Sequence, residues 1–140
     1  MVSIKELRVG NWVAVGVIYC KVNSIHTVPG IDEAHVRVSG FVERNSQYCL
    51  YDYQIDPIPL NDTILRRLGF KDISPDKNRL ALRTMVNSID ELAFWFQEGF
   101  MRYQTRGSGF TRGMRHITSL HRLQNFTFEF LNKEFEIELS

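Results

Sequence analysis

What this chain goes without is informative. It has only two cysteines, Cys20 and Cys49, which read as reduced, small, buried residues on strands. No apolar run approaches the ~20 residues a membrane-spanning helix requires. The first residues, Met1 to Asn11, contain no apolar core of the kind that marks a signal peptide. The expectation is a cytoplasmic protein with no membrane partner. Catalytic motifs are missing too: there is no Gly-x-Ser-x-Gly and no His-Glu-x-x-His. No catalytic residue, metal site or cofactor is assigned.

Acidic residues are absent from one long stretch. Between Gly99 and Phe128 there is no Asp or Glu, while Arg102, Arg106, Arg112, Arg115 and Arg122 fall there with His116 and His121. The whole chain is balanced, with 17 Lys and Arg against 16 Asp and Glu; without these five arginines, 12 basic residues face 16 acidic ones. A net charge of +1 offers no whole-molecule attraction to nucleic acid, so any attraction must be local.

At 140 residues, 44% of them hydrophobic, the chain can bury a core as one domain. Residues 1–56 form a β-rich subregion and residues 57–140 an α+β subregion. Asn11 to Val15 reads as a strand entered through Gly10. Val17 to Thr27 follows with Ile18, Cys20, Val22 and Ile25 as its apolar positions, and Ala34, Val36, Val38 and Val42 make a third run. Tyr48 to Tyr53 completes a small, bent, antiparallel, SH3-like sheet. Pro57-Ile58-Pro59-Leu60 is a stiff connector. Asn61 caps a helix over Asp62 to Leu68 that Gly69 stops.

Central strands follow at Arg79 to Thr84, Leu92 to Gln97 and Phe100 to Gln104. Asn87 to Asp90 and Glu98-Gly99 form the turns between them. Arg106 to Gly113 reads as a loop, and Ser119 as the cap of a helix from Leu120 to Leu131. On that helix Leu120, Leu123, Phe126, Phe130 and Leu131 form the core stripe. His121, Gln124, Asn125 and Phe128, at i, i+3, i+4 and i+7, form a strip beside it. Arg122 and Glu129 fall on the solvated side. Phe135, Ile137 and Leu139 alternate with glutamates as a final strand. The fold class is α+β.

Three stretches carry a resemblance. Glu6-Leu7-Arg8-Val9-Gly10-Asn11-Trp12-Val13 is the first. Pro57-Ile58-Pro59-Leu60, continuing through Ile64, Leu65, Leu68, Gly69 and Phe70, is the second. Leu120-His121-Arg122-Leu123-Gln124-Asn125-Phe126, with Lys133-Glu134 following, is the third. Together they resemble a family of small uncharacterised Bacteroidetes proteins found on prophages and other mobile elements. The resemblance implies genetic context and fold, not chemistry. This chain departs from the family pattern at Asn132, where a Gly usually ends the last helix, and at Arg122, where a second Gln is usual.

Several constellations carry candidate chemistry. Arg102, Arg106, Arg112, Arg115 and His116 are interleaved with Phe100, Tyr103 and Phe110, pairing phosphate contacts with stacking platforms as single-stranded nucleic acid requires. The plainer reading is a set of solvated arginines facing an acidic remainder. The glycine-rich loop lacks the Gly-Lys-Ser/Thr ending of a phosphate-binding loop. Cys20, His26, His35 and Cys49 lack the close ligand pairing of a structural zinc site. The strip His121, Gln124, Asn125, Phe128 either binds a partner or pins its helix internally, and the internal role is favoured.

The leading function is a non-enzymatic binding or adaptor module of an accessory or phage-derived element, its partner unknown and a protein one candidate. The alternatives are nucleic-acid binding through the 102–116 segment, and a small enzyme whose site is assembled from distant residues.

Overall fold

Gly10 sets the entry to the first sheet. Its φ of +96° is a left-handed turn that glycine adopts without strain. The turn delivers Asn11 into the interior, fully buried, where its Oδ1 accepts the Arg8 N–H at 2.7 Å. Strand β1 (Trp12–Val15) then pairs with β2 (Ile18–Thr27), β2 with β3 (Ala34–Ser39), and β3 with β4 (Tyr48–Leu50). All three pairings are antiparallel and the strand order is β1-β2-β3-β4. This is a computed structural model. It describes residues 1–27, 34–39, 48–51, 54–72, 81–87, 89–97, 99–105, 111–135, 137 and 139.

Local chemistry explains the joints of this sheet. Gly16 has φ +61° while Val17 does not enter the positive region, the pattern of a type II′ two-residue hairpin between Val15 and Ile18. The apolar positions of β2 change parity between Val22 and Ile25, and a bulge in the pairing lies there. One extra residue at Asn23 returns Ile25 to the core side. The core joins Val13, Cys20, Val22, Val36, Val38 and Leu50 to Ile55 and to three residues of the N-terminal segment, Val2, Ile4 and Leu7. A single 3-10 turn over Ile4–Glu6 places these last residues. Trp12 is buried as well.

The chain divides into two compact units. One is built on Met1–Ile58 and includes Ser119–His121; the other comprises Pro59–Thr118 and Arg122–Ile137. The division falls inside the proline connector, whose Ile58 and Leu60 are buried while Pro57 and Pro59 are exposed.

The second unit starts with helix α1 (Asp62–Arg67). The Asn61 side chain accepts from the Ile64 N–H at 2.9 Å. At the other end Gly69, with φ +97°, donates to Arg66 O at 3.1 Å, and Phe70 donates to Leu65 O at 3.0 Å. These two bonds define a Schellman stop, with buried Leu65 and Phe70 at its apolar contact positions. Strands β5 (Lys71–Asp72), β6 (Ala81–Met85), β7 (Asp90–Trp95), β8 (Phe100–Thr105) and β9 (Thr111–Met114) follow as one antiparallel meander in that order. Gly99, at φ +74°, closes the β7–β8 hairpin and donates to Trp95 O.

Three local expectations need correction. Thr111 to Gly113 is not loop but strand β9, paired with β8. Glycine disguised it: a Cβ on Gly113 would lie 3.0 Å from Phe100 Cε2, so the strand needs glycine where the ring crosses it. Helix α2 spans Leu120–Leu131, but its buried face is turned toward Gln124 and Thr127. Phe130 lies outside the core and is 73% exposed. Thr127 belongs in the core because its hydroxyl donates back to Leu123 O and Gln124 O, both at 3.1 Å. Asn132 ends the helix at φ +51°, doing the work of a glycine. The described residues beyond Asn132 form no strand; Phe135 is buried with its ring centroid 6.2 Å from that of Phe70.

Candidate functional site

Strand register sorts the second sheet into two faces. Leu82, Phe94, Met101 and Met114 are cross-strand partners, and all four are buried with Leu92. Side chains alternate along a strand, so the residues between them share the opposite, outer face. There Lys71 pairs with Arg83, Arg83 with Ala93, Ala93 with Arg102, and Arg102 with Gly113. Three cations and two small residues thus form one row across all five strands. The neighbouring row is Ala81, Trp95 and Phe100. Trp95 is 39% exposed and Phe100 half-buried.

Among the described strand residues of this face, Lys71, Arg83 and Arg102 accompany one carboxylate, Glu91. Lys71 and Arg83 stand directly opposite each other, an arrangement that costs stability because both carry positive charge. Glu91, half-buried, offers partial compensation, its carboxylate 3.9 Å from Arg83 Nη1. At that distance in a solvated setting the contribution is small.

The arginines singled out from the sequence divide between surfaces. Arg102 lies on the outer face in the cationic row. Arg112 is exposed on β9 but pairs with Tyr103, so it belongs to the opposite face. Arg115 and His116 are exposed in the turn after β9, where the His116 carbonyl accepts from Arg122 Nη1 at 3.0 Å. Arg106 lies outside the described residues. The sequence therefore found two members of the outer face, Arg102 and Phe100, and missed Lys71, Arg83 and Trp95. No local signal set the register: a tight turn over residues 98–99 would put Gln97 opposite Phe100, whereas Trp95 takes that place and brings Ala93 opposite Arg102.

The α2 strip also divides. His121 is 1% exposed and Gln124 is buried and partnered, while Asn125 is half-buried and Phe128 exposed. His121 Nδ1 lies 3.2 Å from Ser119 Oγ, and its Nε2 lies 3.3 Å from Oε1 of Glu6. A ring protonated on Nε2 satisfies both, donating to the carboxylate and accepting from the hydroxyl. Hydroxyl, imidazole and carboxylate stand in the order of a proton relay. Ser119, however, is buried, and a nucleophile must reach its substrate. The array is a clamp tying Ser119–His121 to the N-terminal 3-10 turn.

A second polar network sits at the start of β7. Asn87 Oδ1 accepts from the Ile89 and Asp90 N–H groups at 2.9 and 2.8 Å, and its Nδ2 donates to Asp90 Oδ2 at 2.6 Å. Tyr103 donates to Asp90 Oδ1 at 2.5 Å and lies 2.8 Å from Thr105 Oγ1. The hydrogen bond to the Asp90 carboxylate raises the Tyr103 phenol above its ordinary range. This network fastens the β6–β7 turn to β8.

Cys20 lies in the core of the first sheet, and burial pushes its thiol up to about 11. His26 stands on the other side of β2, with Nε2 2.8 Å from Ser24 Oγ. Among the described residues no group of three or more His, Cys, Asp or Glu is placed to hold a metal ion. No described helix is long and apolar enough to cross a membrane. No known family, curated protein or solved structure matches this chain.

Proposed function

We propose that this chain is a non-enzymatic binding module whose working surface is the outer face of the five-stranded sheet, and that its partner there is anionic. The observation that supports this is the direct opposition of Lys71 and Arg83 in a row that continues to Arg102. Like charges placed face to face are a cost to folding, and an anion lying across them relieves it. Retention on a heparin matrix tests the reading. The wild-type protein is expected to bind at low salt, and a K71Q/R83Q variant to elute at distinctly lower salt. Equal elution of the two proteins would refute it.

A second reading, docking of a protein partner, is favoured by one other observation. Phe130 and Phe128 are both exposed at the end of α2, and Phe130 stacks on Phe126 with centroids 5.4 Å apart. An F128S/F130S variant that runs as a smaller species in sedimentation, where the wild type self-associates, would favour it. Indistinguishable sedimentation of the two would count against it.

A further inference from the structure

We infer that the outer face of the five-stranded sheet binds single-stranded nucleic acid, with Trp95 and Phe100 stacking on bases and Lys71, Arg83 and Arg102 contacting phosphates. This rests on the reading of that face as an anion-binding surface and names its occupant. Cations alone suit any polyanion, including an acidic peptide. The aromatic row beside them is what narrows the choice, because a polycarboxylate has no flat ring to stack.

Geometry relates the two rows. Trp95 and Phe100 lie two residues along their strands from Ala93 and Arg102, a separation of about 7 Å. That is within the reach between the base and the phosphate of one nucleotide. Between Arg83 and Arg102 the row contains only Ala93, so the sheet surface is low there, and beyond Arg102 the Phe100 ring covers Gly113. Phe100 is held in place, its ring edge occupying the space that a side chain at Gly113 would fill. Trp95 offers its ring from the middle strand of the meander. A sheet face bearing aromatic side chains reaches unpaired bases and not those stacked within a duplex. None of these contacts involves the sugar, so DNA and RNA single strands bind alike.

The test is fluorescence anisotropy with labelled homopolymers of about 16 nucleotides, as single-stranded DNA, single-stranded RNA and duplex DNA. Both single strands are expected to bind at about 50 mM salt and to weaken steeply by about 200 mM. Arg83→Gln should flatten the logarithmic salt dependence by roughly 0.7, the share of one phosphate contact on a single strand. Trp95→Ala should weaken binding roughly 5- to 150-fold without changing that slope, and Trp95→Phe should keep most of it. Circular dichroism on each variant checks that it is folded.

Duplex binding as tight as single-strand binding would overturn the inference, as would Trp95→Ala affinity equal to wild type. If heparin is retained through Lys71 and Arg83 but neither single strand binds at low salt, the occupant is wrong while the anion-binding face stands. If heparin is not retained either, both fail.

Discussion

Replacing His121 by alanine is the sharpest test of how the first unit is held together. The side chain is 1% exposed and joins Ser119 to Glu6, which lies 115 residues before His121 in the sequence. Three losses add. Removing a buried ring leaves a cavity, for which about 2 kcal/mol is a low estimate. The Ser119 hydroxyl, itself buried, loses its ring partner at about 1 kcal/mol. Glu6 loses little, since its carboxylate is 36% exposed and water replaces the imidazole. The sum is about 3 kcal/mol, which for a chain of this size lowers the melting temperature by roughly 10 °C. Urea unfolding followed by Trp12 fluorescence in a Trp95→Phe background reads this unit, because Trp12 is buried within it. Glu6→Gln should cost less than 1 kcal/mol, because an amide oxygen still accepts from Nε2. If His121→Ala lies within about 0.5 kcal/mol of wild type, the clamp is not a structural element.

Three further outcomes follow from single contacts. Tyr103→Phe should cost about 1–2 kcal/mol by leaving Asp90 one donor short, and should remove a tyrosine step above about pH 10 from an alkaline absorbance titration. The sign is fixed: the folded-state phenol titrates above its unfolded value, so its contribution is whole below about pH 10 and is lost as pH rises further. In a Cys49→Ser background, Cys20 should resist a thiol reagent at about pH 8 until urea unfolds the protein; rapid labelling of the native state would contradict its burial. Gly69→Ala should destabilise by about 1 kcal/mol in thermal melts through backbone strain alone, since the space around a Cβ there is open.

Local chemistry was legible in the sequence. Asn61 and Gly69 bracket α1 as their side-chain chemistry requires, and α2 runs over the residues its periodicity marks. The α+β class and a hairpin between β7 and β8 are equally local in origin, although the strand expected to run to Gln97 ends at Trp95. Three features were not legible, for different reasons. Strand β9 was hidden by Gly113, whose purpose lies on β8, where Phe100 needs the room. The buried face of α2 was misplaced because Thr127 and Gln124 are polar by type yet satisfied in place, while Phe130 is apolar and left outside. The cationic row depends on register across five strands, and Lys71 and Arg102 become members of one row only through pairings that no local pattern contains. The acid-free stretch from Gly99 to Phe128 pointed at the sheet, but its described arginines part between two sheet faces, the turn after β9 and helix α2.

The central claim is that the outer face of the five-stranded sheet is a binding surface that uses cations and rings together. The most direct measurement is a salt titration of single-stranded oligonucleotide binding on wild type, Arg83→Gln and Trp95→Ala in parallel. The account predicts a shallower slope for the first variant and a weaker, parallel line for the second. Three coincident lines would contradict it.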